Sequence, residues 1–180
     1  MIKDFSFETK TGIKNLLDVD TLSTNDIEMI LDNSSAMLEV LARDIKKVPT
    51  LRGKTIITLF YESSTRTRVS FEQAGKILSA DVINVSTNTS STKKGESLYD
   101  TALTIQAMKA DILVIRHPHS GAPHFLARHL KTSIINAGDG THAHPTQTLL
   151  DLFTIKKHLG QIKNKKITIV GDIWCPNQCL

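Results

Sequence analysis

The sequence predicts an α/β fold, a parallel sheet flanked by helices. Three observations carry that reading. Five short β-branched runs recur at residues 55–60, 81–86, 111–116, 132–137 and 166–171, and segments with helical spacing of apolar residues lie between them. Strands alternating with helices at this interval argue for parallel pairing, with right-handed crossovers covering both faces of the sheet. The third observation is positional: hydroxyl, guanidinium and imidazole side chains gather just after the first four runs, where open parallel sheets bind their ligands.

The elements follow in order. Ile27, Ile30, Leu31, Met37, Leu38, Leu41 and Ile45 repeat at helical spacing, with Ser23 and Thr24 as candidate caps, so one long helix opens the chain. Pro49 and Gly53 separate it from the first strand, Thr-Ile-Ile-Thr-Leu-Phe at 55–60. A helix over 66–78 carries Val69, Ala74, Ile77 and Leu78; one over 97–108 carries Leu98, Ala102, Ile105 and Met108. A third, over 120–130, carries Ala122, Phe125, Leu126 and Leu130, and a fourth, over 145–159, opens on Pro145 and carries Leu149, Leu150 and Phe153. The fifth run, 166–171, ends in a Gly171-Asp172 turn, and residues 173–180 show no periodicity.

The chain of 180 residues suffices for one domain with a sizeable core, or for one domain and the beginning of another. Its 40% hydrophobic and 22% charged residues are those of a globular protein. No apolar run approaches the roughly 20 residues of a membrane span, and the first residues lack a secretion signal, so a cytoplasmic protein without a membrane partner is expected. The net charge of +4 suits an anionic substrate. Nucleic acid is not an expected partner, since aromatics are only 5% and none interleave with Lys and Arg. Cys175 and Cys179 are the only cysteines and form neither a disulfide framework nor a zinc motif.

Ser63-Ser64-Thr65-Arg66-Thr67-Arg68 joins the first strand to a helix start. A helix start offers backbone N–H groups and a positive dipole end, and this one adds hydroxyls and two guanidiniums, donors that suit a phosphate. The plainer alternative is a capped helix with an Arg68–Glu72 i,i+4 pair on its solvated face. Loop 87–95 concentrates hydroxyls with Lys93 and Lys94, and Ser90 and Lys94 are candidates to fold over an anion; an exposed linker is the alternative. Arg116 ends an apolar strand, a costly position unless an anion or a neighbouring carboxylate answers it. His117 before Pro118 reads as shaping the turn. In Gly138–Gln147, His144 and Gln147 fall around the first turn of a helix, where a neutral imidazole can donate to a carbonyl oxygen gaining charge. His142-x-His144 reads alternatively as half a metal site, but without an evident carboxylate or cysteine partner no metal is expected.

Together these residues resemble the aspartate and ornithine carbamoyltransferase family. The resemblance runs from about Leu16 to Asp172. It rests on Phe60-x-Glu62-x-Ser64-Thr65-Arg66-Thr67-Arg68-x-Ser70-Phe71-Glu72, Ser90-x-x-x-Lys94-Gly95-Glu96-Ser97, Arg116-His117-Pro118, and Gly138-Asp139-Gly140 followed by His144-Pro145-Thr146-Gln147. The first block is common to both branches. The Lys94-Gly95-Glu96 loop, the Gly138-Asp139-Gly140 turn and Thr146 look like the aspartate branch, since ornithine enzymes generally show a cysteine in the position of Thr146 and a different polar loop.

The resemblance implies transfer of the carbamoyl group from carbamoyl phosphate to L-aspartate in pyrimidine biosynthesis, with no metal and no cofactor. It implies that Ser64, Thr65, Arg66 and Thr67 hold the phosphate, and that Arg116, His144 and Gln147 hold the carbamoyl end, Arg116 and His144 polarising its carbonyl. Ser90 and Lys94 would enter the site of a neighbouring subunit in a homotrimer. Residues 1–144 then form a complete carbamoyl-phosphate-binding domain, and 145–172 only the first helix and strand of the α/β domain that binds aspartate, with 173–180 an unrelated-looking tail. Impaired transfer by this chain alone is therefore expected, along with an uncovered apolar face on 145–159 and 166–171. Two alternatives stand: ornithine carbamoyltransferase, and a non-catalytic fragment that binds carbamoyl phosphate or joins a trimer.

Overall fold

A computed structural model describes residues 12–86 and 97–170. Ser90, Lys94 and residues 173–180, singled out above, lie outside that range. The described elements are α1 (Thr24–Leu41), β1 (Thr55–Phe60), α2 (Thr65–Ile77), β2 (Asp81–Ser86), α3 (Leu98–Ala107), β3 (Ile112–His117), α4 (Ala122–His129), β4 (Ser133–Asp139) and α5 (Pro145–Leu159). The four strands form one sheet in the order β2-β1-β3-β4, every neighbour parallel.

The alternation of side chains along each strand divides the core in two. Ile57 and Leu59 of β1, Leu113 and Ile115 of β3 and Ile134 of β4 turn to one face, where Ala102 and Ile105 of α3 and Leu126 of α4 cover them. Ile56, Phe60 and Val114 turn to the other, against Phe71 of α2. β1 and β3 are buried on both sides over nearly their whole length, which is why their sequences read as continuous apolar runs. Each buried Leu or Ile contributes about 1.5–3 kcal/mol through apolar area removed from water. α5 packs on β4 and against α1.

Local chemistry explains the boundaries. Ser23 caps α1 reciprocally with Asp26, whose carboxylate accepts the Ser23 N–H and is held below its ordinary range by the Ser23 hydroxyl. α1 stops at Leu41, so Ile45, placed in this helix by spacing, lies beyond it and is 76% exposed. Gly75 lets α2 settle onto the sheet: a Cβ there would lie 2.5 Å from Val82 Cγ2. The β4 edge is partly covered by the N-terminal segment, where Leu16 accepts from the Asn136 N–H and donates to the Ile134 carbonyl.

The expected fifth strand does not form over the described residues 166–170, which are irregular and exposed. A strand exists through hydrogen bonds to a neighbour, and the run has none to pair with among the described residues, however β-prone its side chains. Ile167, Ile169 and Val170 are accordingly 56%, 74% and 92% exposed. Among the described residues no helix is long and apolar enough to cross a membrane.

Candidate functional site

Because all four strands run parallel, the loops after β1, β3 and β4 share one edge of the sheet. The strand order reverses between β1 and β3: the chain moves outward from β1 to β2 on one side and from β3 to β4 on the other. At such a reversal the loops leave in opposite directions and open a crevice. The loop into α2 borders it on the β1 side and Arg116 on the β3 side, tied together where the Tyr61 N–H donates to the Arg116 carbonyl at 3.0 Å.

Ser64 occupies the N-cap position of α2, but its side chain makes no capping bond; its hydroxyl donates instead to Thr67 Oγ1 at 2.9 Å. The first turn of α2 contains no acidic residue, so its positive end keeps its pull on an anion. Thr65 and Arg66 are exposed, whereas Ser64 and Thr67 are half-buried. Arg68 acts on Glu72 through its charge, as the i,i+4 spacing suggests, but the carboxylate takes hydrogen bonds from other residues. Glu72 accepts from Lys76 one turn on and from Asn84 of β2, and the Lys76 bond above all keeps its carboxyl below the ordinary range.

Arg116 is 8% exposed. Its Nε donates to Glu62 Oε2 at 3.1 Å and its Nη1 approaches the Ala137 carbonyl at 3.5 Å. The carboxylate that answers the buried guanidinium is thus Glu62, from the loop after β1. The adjoining His117 does shape the turn, its Nδ1 accepting the His119 N–H at 3.0 Å; burial pushes this imidazole below its ordinary pKa, with His119 adding to the effect.

The loop after β4 is built on Asp139, fully buried. Its carboxylate accepts from the Gly121 N–H at 2.7 Å, the Asn136 amide at 2.8 Å and the Ala143 N–H at 3.2 Å, joining the β4 end, the start of α4 and the loop itself. Gly140 then turns the chain at φ +54°, so close beneath Pro118 that a Cβ would lie 2.6 Å from the Pro118 carbonyl oxygen. That turn delivers His144 to the N-cap of α5, followed at once by Pro145.

His144 is half-buried, and its pKa is lowered first by burial and then by the charge of Arg116. His144 thus feels the Arg116 charge, and both effects favour its neutral form. The Thr146 hydroxyl lies 3.3 Å from His144 Nδ1; with Nδ1 accepting, the ring proton sits on Nε2. Gln147 is in the first turn of α5, its amide donating to Asp151 at 3.1 Å. His142 goes elsewhere, to Asp139 and Asp18, so it and His144 do not share a site. Among the described residues, the group whose spacing suits a metal is His124, Asp139 and His142, each with a ligand atom within 4.8 Å of the others.

Sequence reasoning singled out neither Glu62 nor Asp139 as a working residue. Both stood inside quoted motifs, and an acid within two residues of a strand end was the available signal.

Residues 14–157 match the model of the aspartate/ornithine carbamoyltransferase, carbamoyl-P binding domain family. The chain belongs to this family. It is 57% identical over 160 residues to the aspartate carbamoyltransferase catalytic subunit of Heliobacterium modesticaldum, covering 89% of this chain and 51% of that relative. With the corresponding subunit of Roseiflexus sp. it shares 59% identity over the same length, covering 89% and 50%. Among solved structures, the catalytic subunit of M. jannaschii aspartate transcarbamoylase superposes with a TM-score of 0.77 at 45% identity, over 83% of this chain and 49% of that one. Aspartate transcarbamoylase from Trypanosoma cruzi in complex with carbamoyl phosphate and aspartate gives 0.76 at 35% identity, over 82% and 45%. This carbamoyltransferase-family chain therefore spans about half the length of the relatives it matches, and the alternation of strands and helices expected from its sequence is the fold it shares with them.

Proposed function

We propose that this chain carries the carbamoyl-phosphate site of an aspartate carbamoyltransferase. The observation that carries the reading is a buried Arg116 whose charge favours the neutral form of a half-buried His144, on loops that share one sheet edge with the Ser64–Thr67 helix start. The Ser64, Thr65, Arg66 and Thr67 donors hold the phosphate. Arg116 and His144 donate to the carbamoyl oxygen, and Gln147 holds the carbamoyl nitrogen end.

The reaction then requires positioning and charge stabilisation. The amino group of L-aspartate attacks the carbamoyl carbon and forms the new C–N bond. Negative charge collects on the carbonyl oxygen facing Arg116 and His144. Collapse breaks the bond from carbon to the bridging oxygen, phosphate leaves with the electron pair toward Arg66, and the proton of the attacking nitrogen passes to that departing phosphate. A neutral imidazole suits this work, because a group that must donate without transferring its proton is best kept uncharged by its surroundings.

The reading extends to a cytoplasmic homotrimer in which Ser90 and Lys94 complete a neighbour's site, and to residues 1–144 as the carbamoyl-phosphate domain with 145–172 opening the aspartate domain. The names of the relatives above support aspartate as the acceptor. An assay with carbamoyl phosphate and either L-aspartate or L-ornithine tests it, with an intact catalytic chain of a relative mixed in to allow shared sites. Carbamoyl aspartate formation that rises with the added 180-residue chain and falls again with its Lys94→Ala variant is the expected result. Citrulline as the product, or a rate indifferent to the added chain, would overturn the reading.

A further inference from the structure

We propose that His124, Asp139 and His142 form a binding site for a late first-row divalent cation such as Zn²⁺, separate from the carbamoyl-phosphate crevice residues. Two imidazoles and one carboxylate, each with a ligand atom within 4.8 Å of the others, are a donor set that suits zinc and its neighbours over Mg²⁺ or Ca²⁺, which prefer all-oxygen shells. The His142 Nδ1 already lies 3.1 Å from Asp139 Oδ1 and 3.2 Å from Oδ2, a spacing that two ligands of one tetrahedral ion adopt.

The surroundings are those of a supported site. The other nitrogen of His142, Nε2, lies 3.3 Å from Asp18 Oδ2, so with Nε2–H donated to that carboxylate the unprotonated Nδ1 faces the cluster. Asp139 is fixed by the N–H groups of Gly121 and Ala143 and by the Asn136 amide, which orient a ligating carboxylate without neutralising it. His124 supplies an independent sign: its Nδ1 is buried and has no hydrogen-bond partner among the described residues, a cost that an ion or its bound water would remove. The His124 and His142 rings stand 5.3 Å apart, centre to centre, at 77°. The carboxylates of Asp139 and Asp18 balance the two positive charges. The ion would pin α4, through His124, to the loop that delivers His144, and so brace that loop from behind.

Co²⁺ is the probe, titrated into the metal-free chain carrying Cys175→Ser and Cys179→Ser so that no thiolate contributes. The expected result is one equivalent bound with visible d–d absorption, Zn²⁺ displacing it and raising Tm. His124→Gln and His142→Asn each weaken binding at least tenfold, and Asp18→Asn weakens it by roughly 10- to 100-fold through the supporting hydrogen bond. Absence of Co²⁺ binding by the parent chain, shown folded by circular dichroism, would overturn the proposal. So would equal affinity in the folded His124→Gln/His142→Asn double variant. Neither outcome bears on carbamoyl phosphate binding.

Discussion

Two imidazoles give the residue scale its clearest physical signature. His117 and His144 both have pKa values lowered from 6.5, each chiefly by burial. The folded state therefore holds fewer protons on these rings than the unfolded chain does just below pH 6.5, and their contribution to stability, fully present above that value, is lost as pH falls through the lowered values. Urea denaturation between pH 5 and 8 should show stability falling below about pH 6.5, and His144→Asn should flatten part of the slope; a slope unchanged by that substitution would place the titration elsewhere. The same environment, burial with the Arg116 charge added, favours the neutral imidazole at His144. Its place at a helix start was legible in the sequence, as was the apolar strand that buries Arg116. The partners were not: Glu62 meets Arg116 from 54 positions away, and His124 meets His142 only because α4 and the β4–α5 loop fold back on one carboxylate. Contacts of that range follow from strand order, which no local pattern encodes.

At the scale of the element, the decisive structure is the turn after β4. Gly140 combines a left-handed backbone with a carbonyl oxygen where its side chain would be, whereas Gly160, also left-handed at φ +74°, has open space around it. Gly160→Ala should cost about 1–3 kcal/mol, from backbone conformation alone, since φ +74° with ψ −66° is a tight turn strained for any side chain. Gly140→Ala should cost about 1–3 kcal/mol more, since either Pro118 or the turn must move. Urea melts of the two variants check the difference, and equal costs would mean that the turn yields freely. A second element-scale expectation concerns 166–170. Unpaired and exposed, its amides should exchange within the fastest class, while those of β1 and β3 approach the global opening limit. Protection at 166–170 matching β3 would reveal a strand partner in solution. The sequence spoke clearly for helices and for strands buried on both faces, because periodicity and unbroken apolar runs are local. It misled at 166–170, where β propensity was present but no strand to bond lay alongside among the described residues.

At the scale of the molecule, the sheet order gathers residues from three loops at one crevice, and a helix start contributes its positive end. The fold also presents apolar surface away from that crevice. An apolar groove of about 690 Å³ runs between α1 and α5, bordered by Met37, Leu38 and Leu150, the last 54% exposed. Together with exposed Ile167, Ile169 and Val170, this surface favours association. Analytical ultracentrifugation should therefore find concentration-dependent assembly; a clean monomer over the accessible range would contradict it. The central claim, however, is that the helix start after β1 is a phosphate cradle within a carbamoyl-phosphate site. Calorimetric titration of the 180-residue chain with fresh carbamoyl phosphate, alongside Arg66→Ala, tests it most directly. Saturable binding in the parent, weakened in the variant by about 1.5–3 kcal/mol, roughly 10- to 150-fold, is the predicted result. A folded parent that binds no carbamoyl phosphate, or a variant that binds it as tightly as the parent, would contradict the account.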